Sequence, residues 1–157
     1  LMTSEILGLS ETKISELTTD LNELLANYQV YYQNLRGLHW NIKGKNFFEL
    51  HVKFEEFYTD AQEKVDLIAE RILTLQGTPL HTFDDYIKLS KVKVGKNVSN
   101  DEEAVELVVK SVGELLKIER TILNLADNVE DEGTNSMMSD FISEQEKMLW
   151  MMNAWLS

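Results

Sequence analysis

Apolar side chains recur at spacings of three and four along residues 10–38, a pattern that places them on one face of an α-helix. A second stretch with this period covers residues 46–76, and Gly77 and Pro79 directly after it are typical stop signals. The apolar positions of this second stretch extend well beyond one stripe. We therefore expect two amphipathic helices, the second of which packs within its own bundle and also against another subunit.

Two more long helices are predicted in the C-terminal half. Ser99 followed by Glu102 spells a capping box, which starts a helix over residues 99–127, and the apolar period resumes after Gly133. The long segment before Ser99 contains a short helix capped by Thr82. A connection of this length can cross the full bundle, so the second and third helices can run parallel. The pattern predicts an all-α, ferritin-like four-helix bundle, with one long crossover that carries a short helix between helices two and three.

The composition agrees with this fold class. One proline and seven glycines among 157 residues are typical of a helical protein, and the length fits one domain. We expect residues 1–157 to form a single ferritin-like domain, with residues 1–9 as a short N-terminal extension. The absence of cysteine excludes disulfides, zinc-thiolate sites and thiol catalysis. Without a long apolar run or a signal-peptide pattern, we expect a cytoplasmic protein with no membrane contact.

The formal net charge of −12 favours cations as partners and repels the phosphate backbone of nucleic acids. The basic residues cluster only in the crossover, so DNA binding is disfavoured. That cluster consists of Lys88, Lys91, Lys93 and Lys96.

Two of the three histidines, His39 and His51, lie on either side of the first interhelical turn. Imidazole and carboxylate together suit iron, manganese or zinc, and the nearest acidic candidates are Glu55, Asp66 and Glu70. Asp66 and Glu70 are one helical turn apart on one face. His51 and Asp66, however, are separated by ~22 Å of helix rise. One chain therefore cannot bring these residues to the same ion.

A two-fold axis removes this difficulty. If two copies of the second helix lie antiparallel about an axis near Tyr58 and Thr59, His51 of one chain falls opposite Asp66 of the other. His39 can fold back over the turn to join His51. The spacing thus predicts a homo-oligomer with two identical sites at each two-fold interface.

The combined spacing resembles that of the Dps proteins, or mini-ferritins. It consists of a Gly-Leu-His-Trp-Asn segment at residues 37–41, a second histidine twelve positions after the first, and Asp-x-x-x-Glu fifteen positions later. The resemblance covers nearly the whole chain and implies a hollow dodecamer. It also implies a ferroxidase that oxidises ferrous iron, with hydrogen peroxide as the preferred oxidant, and stores the ferric mineral inside.

The resemblance also assigns roles to residues. His39 and His51 would be ligands from one subunit, Asp66 and Glu70 ligands from its neighbour, and Glu55 a less certain auxiliary ligand for iron, with zinc or another divalent ion as a substitute. No Glu is followed three positions later by His, so the intrasubunit di-iron motif of larger ferritins is missing.

Two acidic groups have either a functional or an ordinary solvated interpretation. By the family resemblance, acidic residues near the last interhelical loop would line pores for entering iron. The candidates are Asp127, Glu130, Asp131 and Asp140. A polar stripe on the second helix could face the cavity and nucleate mineral, and its members are Glu56, Asp60 and Glu63.

Two other functions are considered. One is a non-catalytic shell, either DNA-associated or structural, whose metal ligands only reinforce the two-fold interface. The other is a di-metal bundle enzyme that destroys peroxide without storing metal. Outside the predicted site, His81 is interpreted as a surface residue and Trp40 mainly as a packing residue.

Overall fold

The computed structural model describes residues 3–157, which form six α-helices and no strand. The predicted all-α class, the four long helices and the short crossover helix are confirmed. A further four-residue helix lies in the predicted N-terminal extension, whose first two residues lie outside the described part of the chain. The helices are α1 Ser4–Leu7, α2 Glu11–Asn41, α3 Phe47–Thr74, α4 Phe83–Leu89, α5 Asp101–Asn128 and α6 Glu132–Leu156.

A tight turn folds α3 back along α2. Its Gly44 has φ 114°, a left-handed conformation that glycine adopts without strain. The Gly44 carbonyl accepts a hydrogen bond from the N–H of Phe47, the first residue of α3, at 3.1 Å. The sharp reversal brings the end of α2 against the start of α3, where the two histidines lie.

Three asparagines on α2 hold the crossover along its length. Asn22 bonds to the backbone of Thr78 and Leu80, Asn27 accepts from the N–H groups of Lys91 and Val92, and Asn34 bonds to Lys93 and Gly95. The crossover therefore runs in the same direction as α2. Buried amides that satisfy loop backbone in this way fix a connection that has little regular structure of its own.

The crossover makes α3 and α5 parallel, as predicted. Asn46, at the start of α3, donates its side-chain amide to the carboxylate of Asp101, the first residue of α5, at 2.7 Å. Lys43 N–H donates to the Ser99 carbonyl at 3.0 Å in the same place. Both helices thus begin at the same end of the bundle, which is the ferritin-like topology.

Two predicted helix starts are wrong. Helix α5 is capped by Asn100, whose side chain accepts from Glu103 N–H at 3.1 Å, and not by Ser99, whose carbonyl is used by Lys43. Helix α6 begins at Glu132, before Gly133, because the buried Asp131 caps it by accepting from Thr134 N–H.

The end of α3 also differs in detail from the expectation. Gln76 adopts the left-handed conformation, with φ 69°, although Gly77 was predicted to be the stop. A Cβ on Gly77 would lie 2.8 Å from Cγ2 of Thr18 on α2. Gly77 is therefore required by the close approach of α2 and not by its own backbone angles.

No helix within residues 3–157 is long and apolar enough to cross a membrane.

A candidate metal half-site on each chain

His39 and His51 form a paired unit where α2 meets α3. Their imidazole rings stack with centroids 3.8 Å apart and planes inclined by 12°. Nδ1 of His39 lies 2.6 Å from the backbone oxygen of His51, and Nδ1 of His51 lies 2.7 Å from the backbone oxygen of His39. The predicted fold-back of His39 over the turn is therefore present.

These reciprocal bonds determine which ring nitrogens are free. A carbonyl oxygen only accepts, so each Nδ1 must carry the proton and donate it. The Nε2 lone pair of each neutral ring is then available to a metal ion. A backbone carbonyl that holds the other ring nitrogen is a common means of orienting a histidine ligand in metal sites.

Glu55 lies beside this pair, with Oε1 3.7 Å from Nε2 of His39. Its side chain is largely exposed, while His39 is buried. Tyr58 contacts the His39 ring edge-on at a centroid distance of 5.4 Å. Phe47 stacks on the His51 ring at a centroid distance of 5.0 Å. The aromatic contacts restrict the positions of both rings, and Nε2 of His39 faces Glu55.

Arg36 is a neighbour of the site that sequence reasoning missed. Its guanidinium lies over the rings of Tyr58, Trp40 and Tyr32 at 4.7, 5.1 and 5.8 Å from their centroids. It also donates to the Tyr32 hydroxyl at 3.0 Å. The i, i+4 spacing of Tyr32, Arg36 and Trp40 on α2 was the available signal.

Asp66 and Glu70 are exposed on α3, several turns away from the histidines. Asp66 lines a cleft of about 310 Å³ together with Tyr32, Gln62 and Val65. Within residues 3–157, no three His, Asp or Glu side chains lie close enough together to hold a metal ion. One chain therefore holds the histidines and the two acids apart, as two candidate half-sites.

Large apolar side chains surround the histidine half-site on the surface. Phe48 is 82% exposed, Trp40 56% and Val52 55%. Side chains of this size are normally buried, and a cluster of them on one face is typical of a protein interface.

The acidic pore candidates do not share one environment. Asp127 and Glu130 are exposed at the end of α5, where Glu130 has φ 61°. Asp131 differs because it is buried and its carboxylate is engaged by Arg71 at 2.7 Å and by Thr134. Its role within the chain is to cap α6 and to bind α3 to α6.

Asp140 instead lies with the nucleation candidates. It lines a cleft of about 360 Å³ between α3 and α6, together with Asp60, Glu63 and Glu144. Glu56, the remaining candidate, pairs with Lys53 at 2.9 Å. The sequence had placed Asp140 and Asp60 in different groups, and the packing of α3 against α6 brings them to one surface.

A buried ammonium occupies part of this acidic cleft. Lys64 is 5% exposed, and its Nζ lies 2.7 Å from both the Asp60 and the Glu144 carboxylates. Burial alone would lower the pKa of Lys64, but the hydrogen bonds to Asp60 and Glu144 outweigh it and raise the pKa. Lys64 is therefore charged and neutralises part of the acidic surface.

The centre of the bundle contains a second polar cluster that sequence reasoning missed. Gln145 Nε2 donates to the Tyr28 hydroxyl, which donates to Oε2 of Glu119 at 2.7 Å. Burial raises the pKa of the Glu119 carboxyl to about 7, although Tyr28, Gln145 and Lys64 lower it in part. A glutamate within the apolar stripe of α5, next to Ile118 and Ile122, was the signal for this cluster.

Comparisons with known proteins agree with the fold. A sequence model of the ferritin-like domain matches residues 18–157. The chain is 50% identical over 153 residues to an uncharacterized protein of Haemophilus influenzae, covering 98% of this chain and 96% of that protein. It is 40% identical to the DNA protection during starvation protein of Porphyromonas gingivalis, covering 96% of this chain and 95% of the relative.

A solved structure is similar over the whole chain. The Dps protein from Vibrio cholerae O1, described as a member of a broad superfamily of ferritin-like diiron-carboxylate proteins, superposes with a TM-score of 0.96. The two chains share 50% identity, and the match covers 100% of this chain and 99% of the other.

Proposed function

The chain belongs to the Dps proteins of the ferritin-like family, and on this premise we propose that it is a ferroxidase that detoxifies and stores iron. Ferrous iron binds at a site shared by two subunits and is oxidised by hydrogen peroxide, and the ferric product hydrolyses to a stored mineral. Two ferrous ions supply two electrons and the solvent supplies two protons, so that the O–O bond of one hydrogen peroxide is cleaved and two water molecules form. The reciprocal bonding of His39 and His51 is the observation that carries this proposal.

The histidine pair is suited to receive the incoming ferrous ion. In the neutral tautomer that these bonds select, each ring donates its Nδ1 proton to a carbonyl and leaves Nε2 free. Imidazole nitrogen is a good ligand for divalent iron and also for zinc, which can take its place. Glu55, 3.7 Å from Nε2 of His39, can add one carboxylate oxygen on the same chain.

Asp66 and Glu70 of the partner subunit complete the proposed site. In the antiparallel arrangement, position 51 faces position 66 and position 47 faces position 70, so both acids come to the histidine end. Their carboxylates stabilise the ferric product more than the ferrous substrate, which favours oxidation. The same arrangement would cover the exposed Phe48 and Val52, as expected at a stable interface.

The assembly proposed is a dodecamer with two-fold axes near Tyr58 and a central cavity. Iron would enter through pores lined by Asp127 and Glu130, with Asp131 fixing the start of α6 beside them. Mineral would nucleate on the acidic cleft, where Glu63 and Asp140 are the carboxylates not paired with Lys64. Glu56 and Asp60 are partly neutralised by lysines and would contribute less.

We expect a single-domain cytoplasmic ferroxidase that does not bind DNA. Twelve chains of charge −12 carry −144 in total, which opposes binding to a polyanion. Lys91, in the basic crossover cluster, already pairs with Glu23 at 3.1 Å. Retention of duplex DNA by the assembled protein at physiological salt would contradict this part of the proposal.

A complementation experiment tests the shared site. The variants His51→Ala and Asp66→Ala are purified separately, then mixed, dissociated and reassembled, and ferric absorbance is recorded after ferrous loading and a peroxide pulse. Each variant alone should be close to the buffer rate, because every site lacks one ligand. At a mixed interface, one of the two sites receives His51 from one chain and Asp66 from the other, so about a quarter of all sites are restored.

Two outcomes distinguish the alternatives. If His51→Ala and Asp66→Ala fail to complement, while a dissociated and reassembled wild type is active, the ligands do not act across a subunit boundary. If the wild type consumes peroxide without retaining ferric iron, the protein is a peroxide-destroying enzyme and not an iron store. Glu106→Gln, an exposed change on α5, serves as the control variant and should leave the rate unchanged.

A further inference from the structure

The buried cluster of Tyr28, Glu119 and Gln145 contains two oxygen atoms that have no hydrogen-bond partner among residues 3–157. They are Oε1 of Glu119 and Oε1 of Gln145, and both residues are buried in the middle of the bundle. Buried polar atoms in native proteins are almost always paired, so two orphans in one cluster indicate that something is bound there. Both atoms are acceptors, so the missing component must be a donor or a cation.

Reversing the Gln145 amide does not remove the need for that component. In the reversed orientation, the Gln145 oxygen and Oε2 of Glu119 would both contact the Tyr28 hydroxyl, which has a single proton to donate. One of the two contacts would then be an oxygen pair without a hydrogen. In either orientation the cluster is short of one proton if Glu119 is ionised.

We propose that Glu119 is a neutral carboxylic acid in a large share of the folded protein at neutral pH and in nearly all of it in mild acid, and that its proton is shared with the Gln145 carboxamide to close a three-helix lock. The lock joins α2 through Tyr28, α5 through Glu119 and α6 through Gln145. It does not depend on iron or on the ligands of the metal half-site. Ionisation of Glu119 would leave Oε1 of Glu119 and Oε1 of Gln145 both buried without a donor, so the lock weakens as the pH rises.

The charges around Glu119 favour a proton over a metal ion as the missing component. Tyr28 and Tyr31 on α2 approach it as neutral groups, and Lys64 on α3 and Arg120 on α5 are already cationic neighbours. The carboxylates of Asp60 and Glu144 are held by Lys64. Only the Glu119 carboxylate could balance the charge of a divalent ion here, and Lys64 and Arg120 would repel that ion. Binding of a metal ion is therefore disfavoured.

The linkage between pH and stability has a definite sign. Burial raises the pKa of the Glu119 carboxyl from 4.5 to about 7. Between these values the folded state keeps a proton that the unfolded state has lost, so stability falls as the pH rises. The contribution is fully present below about pH 4.5 and is lost above about pH 7.

The variant Glu119→Gln is the matched probe. Its amide reproduces the hydrogen-bonding pattern of the carboxylic acid, with an N–H in place of the acidic O–H and an oxygen that accepts from Tyr28. The assembled protein is heated in a calorimeter at a series of pH values, with Glu106→Gln as the control. We expect the Tm of Glu119→Gln to exceed that of wild type above neutral pH by about 5 °C, and the difference to vanish in mild acid.

Infrared spectroscopy provides a readout that does not depend on how the variant folds. Wild type and Glu106→Gln should show a carboxylic-acid C=O band at neutral pH, which disappears at high pH and is missing from Glu119→Gln. A wild type without this band at neutral pH would overturn the proposal. So would a Glu119→Gln protein whose Tm is lower than that of wild type at every pH, because the missing component would then require a carboxylate.

Discussion

The imidazoles of His39 and His51 each donate an Nδ1 proton to the backbone carbonyl of the other residue, across the turn between α2 and α3. This exchange couples ring orientation to the fold of the turn. The two free Nε2 atoms are therefore held by helices, which fix side-chain positions more precisely than loops do. Asp66 and Glu70 lie far along α3, so in the proposed site they come from a second subunit.

Replacing His39 should weaken metal binding in two ways. His39→Ala removes one proposed ligand. It also removes the ring that bonds to the His51 carbonyl and stacks on the His51 imidazole. We expect zinc affinity, measured by titration calorimetry on the apoprotein, to fall by at least ~10-fold. His81→Ala is the matched control, because His81 is exposed in the crossover, where its ring contacts the Pro79 carbonyl. Equal losses in both variants would argue against a site at His39.

Tyr28→Phe should destabilise the bundle by about 1–3 kcal/mol. The change deletes a hydroxyl that accepts from Gln145 and donates to Glu119, and leaves both partners buried. Tyr31→Phe, one turn away and also buried, is the control, because its hydroxyl is not one of the groups that join Gln145, Tyr28 and Glu119. Thermal unfolding of both variants measures the difference, and similar Tm values would show that the Tyr28 hydroxyl contributes little.

Arg120→Gln should move the titration of Glu119 to higher pH. Arg120 lowers the pKa of the buried carboxyl, so the folded state should keep its proton further into the alkaline range when this charge is removed. The pH midpoint of the carboxylic-acid infrared band measures the shift, which should shrink at high salt because Arg120 is half exposed. Lys117→Gln on the same helix should leave the midpoint in place, and a shift equal to that of Arg120→Gln would indicate a general charge effect.

Gly77→Ala should destabilise the protein, and Gly113→Ala should not. A Cβ at position 77 would lie 2.8 Å from Cγ2 of Thr18 and 2.9 Å from Cγ2 of Ile72, which implies a loss of about 1–3 kcal/mol. Position 113 lies inside α5 with no atom within 4 Å of a new Cβ. Alanine there should stabilise the helix by up to about 1 kcal/mol. Denaturant unfolding at one protein concentration compares the two variants.

Helix periodicity, chain length and the spacing of the ligands were sufficient to predict the all-α bundle, the long crossover and the candidate residues His39, His51, Asp66 and Glu70. These properties depend on the order of side chains along one helix, and order is what a sequence records directly. The rise of a helix alone implies that His51 and Asp66 of one chain cannot reach the same ion. The packing of α3 against a second subunit stays a prediction.

Only the tertiary structure shows that the two histidines exchange hydrogen bonds and that asparagines of α2 hold the crossover. It also shows that Asp131 is buried in an ion pair with Arg71, and that the Lys64 ammonium lies within the acidic cleft. It also decided the caps, where Asn100 replaced Ser99. These features depend on residues far apart in the chain, such as Tyr28 and Glu119, which are 91 positions apart, and Tyr28 and Gln145, which are 117 apart. Whether a buried carboxyl keeps its proton depends on every group that surrounds it, and only the folded chain brings those groups together.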